Sequence, residues 1–219
     1  MLTLGINAVF HDSAACLVQD GRVLAAAEEE RFTRIKHGKR PLPFTTWELP
    51  HHAIDYCLAE AGAEASDLDH VAYSFDPETL RREKDLAWAS PWEPLSLLYV
   101  SHAERQLVDG APHHVSRRFR SAKAARRWKW HYVEHHLAHE ASAFLAAPFE
   151  ECAVMTLDGR GELATTTYGR FDGAKFERLG EVRMPHSLGL LYEQVTTYLG
   201  FLHSSDEYKV MALASYGEP

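Results

Sequence analysis

Cysteine is scarce in this chain of 219 residues: Cys16, Cys57 and Cys152 lie far apart and never as Cys-x-x-Cys. That spacing excludes a disulfide framework and a zinc knuckle, and it suits a reducing compartment, so a cytoplasmic location is expected. Long apolar runs are also lacking. None approaches the ~20 residues of a membrane span, so no membrane partner is expected. The opening MLTLGINAVFHD has no positive leading region and meets His11 and Asp12 early, so it does not read as a signal peptide. Positive charge is in deficit, with 23 Lys/Arg against 31 Asp/Glu and a net charge of −8. A chain built as a whole to coat nucleic acid is thereby excluded. One stretch departs from this. Residues 117–129 (RRFRSAKAARRWK) hold seven basic residues and no acid, which leaves the rest of the chain at −15. With Phe119, Trp128 and Trp130 interleaved, the stretch has the make-up of an RNA-contacting surface. Because the remainder is so acidic, a solvated helix face is the preferred reading, and nucleic acid is not expected as a partner. Apolar residues at 46% and charged residues at 25% are ordinary for a folded chain of one or two domains. Histidine is what the sequence has in plenty, at 14 copies, several of them clustered.

The first 30 residues read as three strands, Thr3–Phe10, Ser13–Gln19 and Arg22–Glu28, the last two joined by an Asp20-Gly21 hairpin. A cationic, proline-bearing loop follows, with Arg31, Arg34 and Lys36. A helix starts near Pro50, with Ile54, Cys57, Leu58 and Ala61 on one face and Gly62 as its stop. Val71–Ser74 reads as a buried strand. Residues 77–129 read as mostly helical, broken by Pro91, Pro94 and Pro112. Trp130–Val133 reads as a strand, His135–Ala146 as a helix and Cys152–Leu157 as a buried strand. Leu163–Phe171 and Lys175–Met184 flank a second Asp-Gly turn at Asp172-Gly173, and Leu188–Leu199 and Asp206–Ser215 close as helices. The two halves share a plan of strand, polar turn, strand, Asp-Gly hairpin, strand and helix. Either the chain is a duplicated α/β domain with a ligand cleft between copies, or it holds two unrelated hairpins.

Four clusters have the residue types for chemistry. His135 and His139, in HHLAH, are four apart on a helix and so project one turn apart from one face, as two imidazoles binding one metal must; a partly exposed helix face is the alternative. His11-Asp12-Ser13 is a polar turn after a strand, where open α/β sheets place catalytic groups, or simply a turn in which Asp12 bonds its own backbone. Asp158-Gly159-Arg160-Gly161-Glu162 follows another strand. Its two glycines let backbone N–H groups approach a phosphate, although such a run is commonly only a turn. The loop of Arg31, Arg34 and Lys36 can hold a phosphate or carbamoyl oxygen, or lie solvated.

Taken together, four motifs in this order resemble the carbamoyltransferases of antibiotic and nodulation-factor biosynthesis, relatives of the tRNA threonylcarbamoyladenosine-forming protein. They are GINAVFHDSAACLVQDGRVLAAAEEERFTRIKH, HHLAHEASAF, TLDGRGELATTTYGR and EYKVMALASYG. The resemblance runs from residue 2 to the last residue and is weakest over 77–129. It implies an α/β fold of the duplicated actin-like, ribonuclease H-like kind. Residues 1–150 would form the first subdomain, with a helical insertion at about 77–129, and 151–219 the start of a second subdomain that is incomplete. Ala212 stands where the resemblance leads one to expect glycine.

The function so implied is transfer of a carbamoyl group from carbamoyl-adenylate to the hydroxyl of a small-molecule acceptor. The adenylate would be made from ATP and carbamoyl phosphate in a further C-terminal domain. By motif match His11 and Lys36 are catalytic. Asp12, Asp158, Gly159 and Gly161 lie at the nucleotide, and His135 and His139 bind a divalent metal, iron or another. A further acidic metal ligand is expected beyond residue 219. The chain then reads as an N-terminal fragment, inactive alone, whose exposed apolar surface favours self-association, a homodimer included. Two alternatives stand beside this: threonylcarbamoyl transfer to tRNA, and a non-catalytic nucleotide-binding module of the same fold.

Overall fold

The computed structural model describes residues 1–9, 11–38, 49–82, 110–119, 128–203 and 205–218. These form two compact units, Met1–His135 and His136–Pro219.

The first unit is built on a five-stranded sheet. Strand β1 (Leu2–Asn7) turns Leu2, Leu4 and Ile6 to one face and more polar neighbours to the other. Strand β2 (Ala14–Gln19) pairs antiparallel with it, so that Leu17 opposes Leu4 and Ala15 opposes Ile6 on the same buried face. The Asp20-Gly21 turn has positive φ at both residues, 49° and 82°, as a tight hairpin between twisted strands requires. It returns the chain as β3 (Arg22–Glu28). A short helix α1 (Glu30–Thr33) and a single tight turn, Lys36–Gly38, follow. Helix α2 (His51–Glu60) begins after Pro50 and lays Ala53, Ile54, Cys57 and Leu58 against β2 and β3; Gly62, at φ +61°, follows its end. Strands β4 (His70–Tyr73) and β5 (Lys129–Tyr132) are added parallel to β1. The strand order is β3-β2-β1-β4-β5, with β2 alone antiparallel to the rest. This is the order of a ribonuclease H-like sheet, the repeating unit of actin-like folds, so the expected fold class holds.

Between β4 and β5 the described residues include helices α3 (Pro77–Arg82) and α4 (Ala111–Arg118). The rest of the helical stretch expected over 77–129 lies outside the described residues. Of the basic segment, Arg118 pairs with Asp55, Trp128 donates its indole N–H to the Ala65 carbonyl at 3.0 Å, and Phe119 meets Trp128 edge-on.

The second unit opens with the same meander. Strands β6 (Cys152–Leu157), β7 (Ala164–Phe171) and β8 (Phe176–Arg183) pair antiparallel in sequence order. The Asp172-Gly173 turn differs from the first hairpin: Gly173 alone has positive φ, and the Asp172 carboxylate accepts the N–H groups of Ala174 and Lys175. Strand β6, read as buried from its apolar run, is half-buried. Val154 and Thr156 face inward, and Met155 and Leu157 are exposed.

Helix α5 (His135–Ala146) crosses the inner face of this meander. Its contact stripe is His136, Glu140 and Phe144, at i, i+4 and i+8. His136 bonds Thr156 and Ala164, Glu140 takes a two-pronged ion pair from Arg178, and Phe144 stacks on Phe171 and Phe176 at 4.6 and 5.2 Å. Helices α6 (Leu188–Tyr198) and α7 (Glu207–Ala214) complete the unit. Among the described residues no helix is long and apolar enough to cross a membrane.

Candidate functional site

The turn after β1 is held in shape by Asn7. Its amide donates to the carbonyls of His11 and Asp12 at 3.3 and 3.1 Å, and its carbonyl accepts from Ser74 at the end of β4. The chain passes Asp12 at φ +52°, a left-handed conformation that aspartate tolerates better than most residues. There the two carboxylate oxygens of Asp12 serve different imidazoles. Oδ2 meets Nδ1 of His11 at 2.6 Å and Oδ1 meets Nδ1 of His37 at 2.9 Å. The bond from His11 above all, aided by that from His37 and opposed by partial burial, pulls the Asp12 carboxyl from 3.8 down to about 2. Asp12 is thus ionised throughout the neutral range. An ionised carboxylate only accepts, so both Nδ1 atoms are the protonated ones, and in a neutral ring the nitrogen without hydrogen is then Nε2.

His37 reaches Asp12 because the segment after β3 folds back on the turn. Glu29, buried, accepts the Ala53 and His52 backbone N–H groups and meets the His52 ring, capping helix α2 with a carboxylate where the helix dipole favours one. The backbone N–H of His37 donates to Glu30 Oε2 at 2.7 Å, and its carbonyl accepts from Ser13 at 3.3 Å. Lys36, exposed, is its chain neighbour and so is fastened to the same turn. The structure therefore brings together His11 and Asp12, as the motif implied. It adds Glu29 and His37, which the sequence reading did not single out.

The second cluster lies on α5 and the turn after β6. His135 is buried and His139 about half-exposed on one side of the helix, next to the contact stripe. Asp158, at the end of β6, places Oδ2 3.3 Å from His139 Nε2. One donor atom from each of His135, His139 and Asp158 lies within 4.8 Å of the other two. Two ligands ~2.1 Å from one ion at the tetrahedral angle stand ~3.4 Å apart, so the His139–Asp158 spacing is that of neighbouring ligands. Two imidazoles and one carboxylate on one side of an ion form the donor set of non-haem ferrous sites, and zinc or manganese is also suited. The sequence reading placed Asp158 at the nucleotide and the acidic metal ligand beyond residue 219; an acidic donor stands beside the histidine pair within the chain.

The Asp158–Glu162 turn is positioned from three sides. His136, fully buried, meets the Thr156 hydroxyl at 2.6 Å and the Ala164 carbonyl at 2.9 Å. A carbonyl cannot donate, so Nε2 carries the hydrogen and Nδ1 accepts from Thr156, whose oxygen in turn accepts the Thr167 N–H. Arg160 pairs with Glu193 at 2.9 Å, both largely buried. Ser187 caps α6 by accepting from Leu190 N–H and donates to the Gly159 carbonyl at 2.7 Å. Both glycines also have a local use in the fold. Gly159 N–H bonds its neighbour's carboxylate and Gly161 N–H bonds the Ala164 carbonyl, so a phosphate would have to displace those bonds. What Gly161 must lack is a Cβ, which would lie 2.8 Å from the His136 ring.

The first unit thus holds a ribonuclease H-like sheet with an Asp-bridged histidine pair, and helix α5 with the turn after β6 brings together His135, His139 and Asp158. The chain matches the family described as carbamoyltransferase N-terminus over residues 2–219, and it belongs to that family. It is 36% identical over 219 residues to the nodulation protein NolNO of Sinorhizobium fredii, covering 97% of this chain and 29% of that protein. It is 38% identical over 232 residues to an uncharacterized protein, sll1178, of Synechocystis, covering 99% and 35%. The chain thus spans about a third of the length of these curated relatives. Among solved structures it is similar to YeaZ from Pseudomonas aeruginosa, at 16% identity and a TM-score of 0.41, over 84% of this chain and 66% of that one.

Proposed function

We propose that the complete gene product transfers a carbamoyl group from carbamoyl-adenylate to a hydroxyl of a small-molecule acceptor. The adenylate would be formed from ATP and carbamoyl phosphate outside the residues seen here. The observation that carries this reading is the His11–Asp12 pair, in a chain of the carbamoyltransferase family.

AMP is a good leaving group without protonation, so the difficult task is to deprotonate an alcohol as charge builds on the carbamoyl oxygen. His11 Nε2 takes the acceptor proton while the alcohol oxygen bonds the carbamoyl carbon. The bond from that carbon to the AMP phosphate oxygen then breaks, and AMP leaves with its electron pair. Asp12 holds Nδ1–H and stabilises the imidazolium that forms. Lys36 offers a positive charge to the developing oxyanion or to the phosphate. His135, His139 and Asp158 would hold a divalent ion, iron among the candidates, and such an ion supplies charge neutralisation at an oxygen. The substrates and the scarcity of cysteine fit a cytoplasmic enzyme.

His11→Asn keeps a hydrogen-bonding side chain but no base. In the complete gene product, acceptor carbamoylation should fall by ~10²–10⁴ while adenylate formation, read as pyrophosphate and phosphate release, continues. A folded His11→Asn enzyme within a few-fold of the parent would falsify the assignment of the base.

A further inference from the structure

Histidine 37 has no part in the reaction just described, yet its backbone and its ring are both held at the His11 turn. Its N–H is taken by Glu30, its carbonyl by Ser13 and its Nδ1 by Asp12. It also adopts φ +62°, a conformation that a histidine enters at a cost unless its surroundings require it. An aspartate bonded to one imidazole can rotate about its Cβ–Cγ bond and offer either oxygen. An aspartate bonded through both oxygens to two rings cannot. The rings of His11 and His37 meet edge-on, 5.9 Å apart at 64°, and the Asp12 carboxylate bonds both of them.

We propose that His37 is a positioning residue of this site: by occupying Oδ1 of Asp12 it fixes the carboxylate so that Oδ2 holds His11 in the Nδ1–H tautomer, with Nε2 presented for proton transfer. The proposal rests on the carbamoyl-transfer reading only for what His11 then does; the brace itself stands on the geometry. It also gives the loop after β3 a task. That loop fastens Lys36 to the turn through the next residue, so the cation and the base are set by one device. Two imidazoles and a carboxylate are also a donor set for a cation. At 2.6 and 2.9 Å, however, the nitrogen–oxygen distances are those of shared protons.

The test uses two replacements at His37. Asn presents an amide N–H close to where Nδ1–H of histidine lies, and Leu presents none. In the 219-residue chain with ¹⁵N-labelled imidazoles, His11 should show the pure Nδ1–H tautomer at neutral pH in the parent and in His37→Asn. In His37→Leu it should show a mixture of tautomers. In the complete gene product His37→Leu should lower kcat for acceptor transfer by ~10–100-fold with KM within about twofold, and His37→Asn should restore most of the loss. If His37→Leu does not fold, Asp12→Asn decides, because its NH₂ group must force one of the two rings into the Nε2–H tautomer. A single unchanged His11 tautomer in His37→Leu overturns the proposal, as does an unchanged Nδ1–H tautomer of both rings in Asp12→Asn. So does an equal loss in the Asn and Leu variants, or Zn²⁺ moving the resonances of both rings together in the parent and not in Asp12→Asn. If the parent transfers no carbamoyl group, the function proposed above fails, and the tautomer measurement still decides the role of His37.

Discussion

Asp12 is the residue on which the first site turns, and its acidity has a direct consequence for stability. Its carboxyl is depressed in the folded chain, from 3.8 to about 2, chiefly by the bond from His11. The unfolded chain therefore binds a proton that the folded chain refuses between those values. Its stabilising contribution is fully present above about pH 4 and is lost as pH falls through about 2. The side chain is nearly half exposed, so solvent screens the effect, and its direction is what an experiment reads. Urea unfolding should show the parent more stable than Asp12→Asn at about pH 5, with the gap narrowing steadily towards about pH 2.5. A gap that stays constant over that range would show that the imidazoles do not favour the ionised carboxylate. Histidine 11 and Asp12 are adjacent, and their pairing was legible in the sequence. Histidine 37 was not, because it lies 25 residues away and reaches Asp12 only through a left-handed, single-turn bend that no periodicity announces.

At the scale of elements, helix α5 shows where sequence reading succeeds and where it stops. Its ends, and the i, i+4 placement of His135 and His139, follow from spacing alone. The neighbouring stripe is a different matter. A buried His136 and a buried Glu140 contradict the expectation that a contact face is apolar, and their partners, Thr156, Ala164 and Arg178, lie 20, 28 and 38 residues on. Each polar group is matched there, which is the condition for burying it. The same remoteness hid the use of Gly161, whose missing Cβ gives room to the His136 ring. Gly161→Ala is expected to destabilise the chain by ~1–3 kcal/mol, the usual result of forcing a methyl group into a packed contact. The ring is the nearest obstacle and the Ala164 carbonyl, at 3.1 Å, the next, so the same change in a His136→Ala background should cost less but not nothing. Denaturant unfolding of the four proteins of this cycle measures that coupling, and equal costs in both backgrounds would remove the ring from the account.

For the whole molecule, the two proposed sites fall differently along the chain. The proposed proton-handling cluster, His11, Asp12 and His37, belongs wholly to Met1–His135. Of the proposed metal donors, His139 and Asp158 belong to His136–Pro219, and His135 sits on the same helix as His139. A ligand that binds only the folded state stabilises what it holds together, by ~2.7 kcal/mol at a hundred times its dissociation constant. A divalent ion should therefore act unevenly along the chain. Fe²⁺ added under anaerobic conditions, or Zn²⁺ in air, is expected to slow amide hydrogen exchange across the first turns of α5 and the turn after β6. The strands β1 to β3, which carry His11 and Asp12, should exchange as before. His139→Ala should abolish the effect. Asp158→Asn, which keeps the side chain's shape but removes its charge, should weaken binding ~10–100-fold, the loss typical when the environment of a metal ligand is disturbed. Protection that spread evenly over both units, or that persisted in His139→Ala, would mean that the ion is held elsewhere. The pairing of His139 with Asp158 would then be an ordinary ion pair at the end of a strand.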